Sequence, residues 1–101
     1  MQLEASSDGV PLDGSLNQYV HDRLKTSFRG VEKKIRNVTM RVGAQATEYD
    51  STKHYCTLIV RLYRGGFVTG ADVGAELHAT IDRVVDEVGH AVASQVKSRW
   101  W

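Results

Sequence analysis

Cysteine is nearly absent from this chain, Cys56 being the single one among 101 residues. One thiol forms neither an internal disulfide nor a multi-thiolate metal site, which suits a reducing compartment. Cys56 is expected as a small buried hydrophobe. Long apolar runs are missing as well: hydrophobic residues make up 42% of the chain. Yet no run approaches the roughly 20 residues that span a bilayer. The opening Met1-Gln2-Leu3-Glu4 carries neither the basic nor the apolar region of a signal peptide. These absences lead to the expectation of a cytoplasmic protein with no membrane partner. What is present, including 25% charged residues, fits one small globular domain over residues 1–101. Folding such a domain buries roughly 60–70% of the unfolded surface around a single core.

Neither sign of charge dominates, the formal net charge being +1, but the distribution is uneven. Residues 1–17 carry Glu4, Asp8 and Asp13 with no base. Residues 18–41 carry Arg23, Lys25, Arg29, Lys33, Lys34, Arg36 and Arg41 against Asp22 and Glu32. Residues 42–74 balance, and residues 75–101 set Glu76, Asp82, Asp86 and Glu87 against Arg83, Lys97 and Arg99. A dense basic block in a nearly neutral protein is the footprint of an anionic partner, because attraction follows the local field more than the total. The plainer reading of the same block is a solvated helix face and loop.

Periodicity lays out the elements. Met1, Leu3 and Ala5 alternate as a short strand, and Asp8-Gly9 with Pro11 marks a turn. A helix capped near Asp13 or Ser15 follows, with Leu16, Tyr19, Val20, Leu24 and Phe28 at helical spacing and basic residues on its other face. Residues 35–46 alternate as a strand, Val38, Met40, Val42 and Ala44 on one side, Asn37, Thr39, Arg41 and Gly43 on the other. Residues 48–53 are a polar connection to a third strand over 54–63. Arg64-Gly65-Gly66 makes a tight turn into a fourth strand from Phe67 to about Val73. A last helix, about 75–97, carries the apolar stripe Leu77, Ile81, Val84, Val85, Val88, Val92 and Val96. The order β-α-β-β-β-α, with alternating strands and two amphipathic helices, predicts an α+β two-layer sandwich: a four-stranded sheet with both helices on one face.

The segment Leu77-His78-Ala79-Thr80-Ile81-Asp82-Arg83-Val84-Val85-Asp86, placed by this layout where the last strand gives way to the last helix, carries a resemblance. It resembles the Leu/Met-Tyr-Ala-Ala-Ile-Asp, apolar-apolar-Asp passage of the ribosome hibernation-promoting factors, also called ribosome-associated inhibitor or sigma-modulation proteins. Met1-Gln2-Leu3 resembles that family's first strand, Leu16-Asn17-Gln18-Tyr19-Val20 its first-helix Leu-x-x-Tyr-Val, and Ile35-Arg36-Asn37-Val38 the start of its second strand. The resemblance implies the same fold and a short form without the dimerising domain of longer members. It implies a translation inhibitor, not an enzyme, that binds the small ribosomal subunit and its ribosomal RNA under stress or in stationary phase. It implies no cofactor, metal or small-molecule substrate. RNA contacts are expected at Arg23, Lys25, Arg29, Lys33, Lys34, Arg36, Arg83, His90, Lys97 and Arg99. In the last helix the family usually places Lys or Arg on the solvent face, where this chain has Glu87, His90 and Ser94.

Other constellations compete with these. His78, Asp82, Asp86 and His90 recur every four residues and line one helix edge, a set of donors suited to a divalent metal. A straight helical row makes no converging shell by itself, and a polar edge beside an Arg83–Glu87 pair accounts for the same pattern. Cys56 with His54 or His21 lacks an orienting acid, and Gly65-Gly66 lacks the helix and Lys-Ser/Thr of a phosphate loop. A double-stranded-RNA-binding domain opens its last helix with a basic cluster, where this chain has Glu76 and Asp82. The Trp100-Trp101 pair suits base stacking, a partner contact or packing on the protein itself. Beside the ribosomal reading stands a second, a non-ribosomal protein-interaction module on the same scaffold. A continuous positive groove joining both helices favours the first, and a broken groove with an exposed apolar patch favours the second.

Overall fold

The computed structural model of the protein describes residues 2–46 and 52–100. Met1 of the first strand, most of the expected polar connection (residues 48–51), and Trp101 lie outside the described residues, as do the side chains of Arg99 and Trp100.

Strand β1 (Gln2–Asp8) leads to helix α1 (Gly14–Ser27), a short 3-10 turn (Glu32–Lys34), strands β2 (Ile35–Ala46), β3 (Thr52–Leu62) and β4 (Phe67–Gly74), and helix α2 (Leu77–Trp100). The sheet runs β1-β2-β3-β4. Its first pair is parallel and the other two are antiparallel. Alternation in the strands sends Val38, Met40 and Val42 of β2 and Cys56, Leu58, Val60 and Leu62 of β3 into one core. A register shift between Ile35 and Asn37 bulges β2, so that Arg36 and Asn37 both stay out of that core while Ile35 and Val38 are buried.

Helix α1 begins at Asp13, whose carboxylate accepts the Leu16 N–H at 2.8 Å, satisfying one of the donors left open in a first turn. Leu16, Val20, Leu24 and Phe28 form its buried stripe. Helix α2 begins later than the periodicity suggests. Glu76, not a usual capping residue, folds its carboxylate onto the His78 and Ala79 N–H groups at 3.1 and 2.6 Å, so the whole Leu77–Asp86 segment is helical. Its stripe of Ile81, Val84, Val85, Val88, Val92 and Val96 is buried as expected, with Leu77 packed at its margin.

Glycine sets the distance between layers at two positions. A Cβ at Gly70 of β4 would fall 2.5 Å from Val88 Cγ2, and one at Gly89 of α2 would fall 3.2 Å from Ser27 Cβ of α1. The first lets α2 lie close on the sheet and the second lets the helices touch. Both helices cover one face, and the opposite face is open. On that side Tyr55 is folded over Gly43, its directly paired neighbour on β2.

Candidate nucleic-acid interface

The two helices run side by side in the same direction. Tyr19 meets His78 and Asp82, Arg23 meets Asp82 and Asp86, and Ser27 meets Gly89. The last turns of α2 therefore project beyond the end of α1, where the chain turns through Arg29–Lys34 into β2. The β3–β4 hairpin reaches the same end, since the Tyr63 N–H donates to the Lys34 carbonyl at 3.1 Å. One end of the molecule thus gathers the end of α1, the loop after it, the end of α2 and the hairpin.

The expected contact residues divide according to this geometry. Lys25, Arg29, Lys33 and Arg36 are exposed, and Lys34 is half-buried. Lys33 and Glu32 line two adjoining clefts, the first completed by His21 and Lys25 and the second by Gly30 and Lys34. The loop thereby draws the cations from the end of α1 to the start of β2 together. Lys97 is exposed on the projecting part of α2.

Arg23 and Arg83 are placed differently. Arg23 lies in the seam between the helices, its Nε 2.9 Å from one Asp82 carboxylate oxygen and its Nη2 donating to Asp86 at 3.0 Å. The Nε approach is an ion-pair contact without hydrogen-bond alignment. The same Asp82 oxygen accepts the Tyr19 hydroxyl at 2.5 Å. Burial, reinforced by that carboxylate, pushes the Tyr19 phenol up to about 12, so it stays a donor. Arg83 donates to Asp72 of β4 at 2.7 Å and pairs with it, not with Glu87. The β4–α2 turn brings Asp72 within reach, and the bond holds its carboxyl below the usual range, helped by the Val73 N–H. The row His78, Asp82, Asp86 and His90 is accordingly split, with two of its members committed to Arg23. His90 is exposed beside Ser27, Asp86 and Gly89.

The positive surface is consequently not a groove joining the two helices. Acids neutralise the seam, and the cations collect at the end of the molecule. Grouping by sequence block passed over Arg61 and Arg64, hidden in a balanced stretch, which the hairpin adds to this end. Cys56 offers no chemistry there: it is buried in the core, and burial pushes its thiol up to about 12, far from a reactive thiolate. No helix among the described residues is long and apolar enough to cross a membrane.

No family model matches the chain, and no curated protein matches it in sequence. Solved structures do match in shape. A ribosomal subunit interface protein from Coxiella burnetii superposes with a TM-score of 0.79 at 15% identity, over 98% of this chain and 100% of that one. The Protein Y N-terminal domain from Thermus thermophilus superposes with a TM-score of 0.70 at 23% identity, over 94% and 99%. The chain has the fold of these proteins. That agreement extends the resemblance found in short sequence motifs to nearly the whole backbone.

Proposed function

We propose that this protein binds the ribosome at its small subunit through ribosomal RNA and inhibits translation in the cytoplasm under stress or in stationary phase, without catalysing a reaction. The observation that carries this reading is the convergence of Lys25, Arg29, Lys33, Lys34 and Arg36 at one end of the fold, in a scaffold shared with a ribosomal subunit interface protein. Several cations fixed on a rigid end engage several RNA backbones at once, so recognition follows the shape of folded RNA and not a sequence.

Co-sedimentation with purified small subunits tests it. Wild-type protein is expected in the pellet, and the combined variant Lys25→Glu, Arg29→Glu, Lys33→Glu in the supernatant with its fold intact. A triple variant that sediments like wild type reduces the cluster to a solvated face.

The second reading, a protein-interaction module outside the ribosome, draws on two observations. The seam between the helices is neutralised by Asp82 and Asp86, and Tyr63, Phe67 and Val73 are 62%, 64% and 58% exposed. Absence of wild-type binding to small subunits would favour it.

A further inference from the structure

The geometry points to a second RNA contact on the β3–β4 hairpin: Tyr63 and Phe67 form a stacking platform for unpaired bases, flanked by the cations of the open sheet face. This rests on the ribosomal reading for its partner but concerns a different surface from the helix and loop cations.

Tyr63 and Phe67 are the two most exposed large hydrophobic side chains described, at 62% and 64%. Neither is needed by the core, which ends at Leu62 and Val68 on either side of the turn. The hairpin is held rigidly. Gly65 N–H donates to the Leu62 carbonyl and Leu62 N–H to that of Gly66, both at 3.2 Å. Gly65 and Gly66 take φ of +83° and +84°, a conformation other residues rarely adopt. The Tyr63 N–H bond to Lys34 pins the turn to the basic loop. A preformed turn carrying exposed rings binds without first ordering a loop.

The surroundings identify the ligand. Phe67 is paired with Arg61, and Arg61 with Asn37, next to Arg36 on the bulge of β2. Arg61 reaches Asn37 Oδ1 at 3.4 Å and lies along the open face. Rings and arginines alone also suit a protein partner, whereas rings interleaved with cations and no intervening acid, as in residues 34–37 and 61–67, suit a single-stranded nucleic acid whose backbone the cations track and whose bases the rings stack on. The hairpin end has the second composition. In an A-form duplex the bases are stacked away from such rings, so the platform selects unpaired nucleotides.

Fluorescence anisotropy with two probes tests this, a short labelled oligouridylate and a blunt RNA duplex of equal charge. The double variant Tyr63→Ala, Phe67→Ala is expected to bind the single strand at least about five-fold more weakly for each ring lost, from the usual strength of base-aromatic stacking, with duplex binding unchanged. Tyr63→Trp with Phe67→Tyr, which keeps two rings, is expected to retain single-strand binding. Equal single-strand binding by wild type and the alanine variant, or no wild-type binding to the single strand, overturns the inference. So does a variant that loses small subunits yet keeps the oligouridylate, an outcome that assigns the rings to a protein surface. Ring-dependent oligouridylate binding without wild-type sedimentation on small subunits would instead overturn the ribosomal reading and leave the platform standing.

Discussion

The Tyr19 hydroxyl of α1 donates to the Asp82 carboxylate of α2 at 2.5 Å, and Arg23 lies against the same oxygen at 2.9 Å. The Asp of the Ile-Asp motif is therefore an architectural residue that fixes how the two helices lie together. A carboxylate that accepts from a phenol and pairs with a guanidinium makes one charge-assisted hydrogen bond and one ion-pair contact in a seam that water only partly reaches. Asp82→Ala is expected to destabilise by on the order of 1–3 kcal/mol, and Tyr19→Phe by about 1.5 kcal/mol, the lower end for a bond to a charged group. Thermal or urea melts of the two single variants and the double variant measure the coupling. Strict additivity would show that the pair contributes nothing of its own.

The core makes a sharper demand. Ile81 is wholly buried, so Ile81→Ala should cost about 2–5 kcal/mol through lost transfer energy and the cavity left behind. Gly70→Ala tests the opposite error. Its new methyl would meet Val88 Cγ2 at 2.5 Å, and forcing α2 away from β4 should cost about 1–3 kcal/mol. Urea denaturation of both variants checks the packing, and an unchanged midpoint for either would be incompatible with it.

Acid stability follows from two carboxylates. Bonding to Arg83 first, and to the Val73 N–H second, lowers the Asp72 carboxyl from 3.8. The Ala79 and His78 N–H groups lower that of Glu76 from 4.5. A carboxyl that holds its proton less tightly folded than unfolded contributes stability that is fully present above those ordinary values and is lost as pH falls through the lowered folded ones. Melting temperature should thus fall on acidification below about pH 4.5. Glu76→Gln and Asp72→Asn should each flatten that fall, and a Glu76→Gln variant with the wild-type acid profile would remove Glu76 from the account.

Much of this architecture was legible in the chain, for reasons that also explain the exceptions. The course of β2 beyond its bulge follows from alternation, and the α2 stripe from its period, because both are set by burial on one side. The start of α2 at Leu77 is not legible, because Glu76 caps with a side chain that usually does not. Helical spacing, visible in sequence, offers Glu87 as the partner of Arg83, whereas the return of β4 beside α2, which supplies Asp72, is not visible there. The candidate cations were legible as a block, but their division was not: Arg23 belongs to the seam, and only packing shows it. Tyr63 and Phe67 gave no signal beyond flanking a glycine turn, since exposure of an aromatic residue is a property of the fold.

Salt separates a phosphate-binding surface from an ordinary solvated one. If Lys25, Arg29 and Lys33 meet RNA backbone, the logarithm of the affinity for small subunits falls linearly with the logarithm of salt, by roughly 0.7–0.9 for each phosphate engaged. Replacing one of these residues with Ala should weaken binding and make the slope shallower by about that amount. Filter binding across a salt series measures both. A variant with reduced affinity and an unaltered slope would place the lost contact away from phosphate.

The outer face of α2 gives the most exacting test. Glu87, His90 and Ser94 are exposed there, on the stretch leading to Lys97, and His90 lies across a cleft from Ser27 of α1. As the chain stands, Glu87 faces any approaching phosphate with like charge, which opposes contact. The combined change Glu87→Lys, His90→Arg, Ser94→Lys would extend the cations at the end of α1 onto α2 as one continuous surface. The fold should tolerate it, because all three lie off the buried stripe and the new residues are good helix formers. Binding to small subunits should strengthen, and its salt dependence should steepen by roughly 0.7–0.9 for each phosphate newly engaged. A folded triple variant that binds no better would show that this face of the helix does not meet RNA.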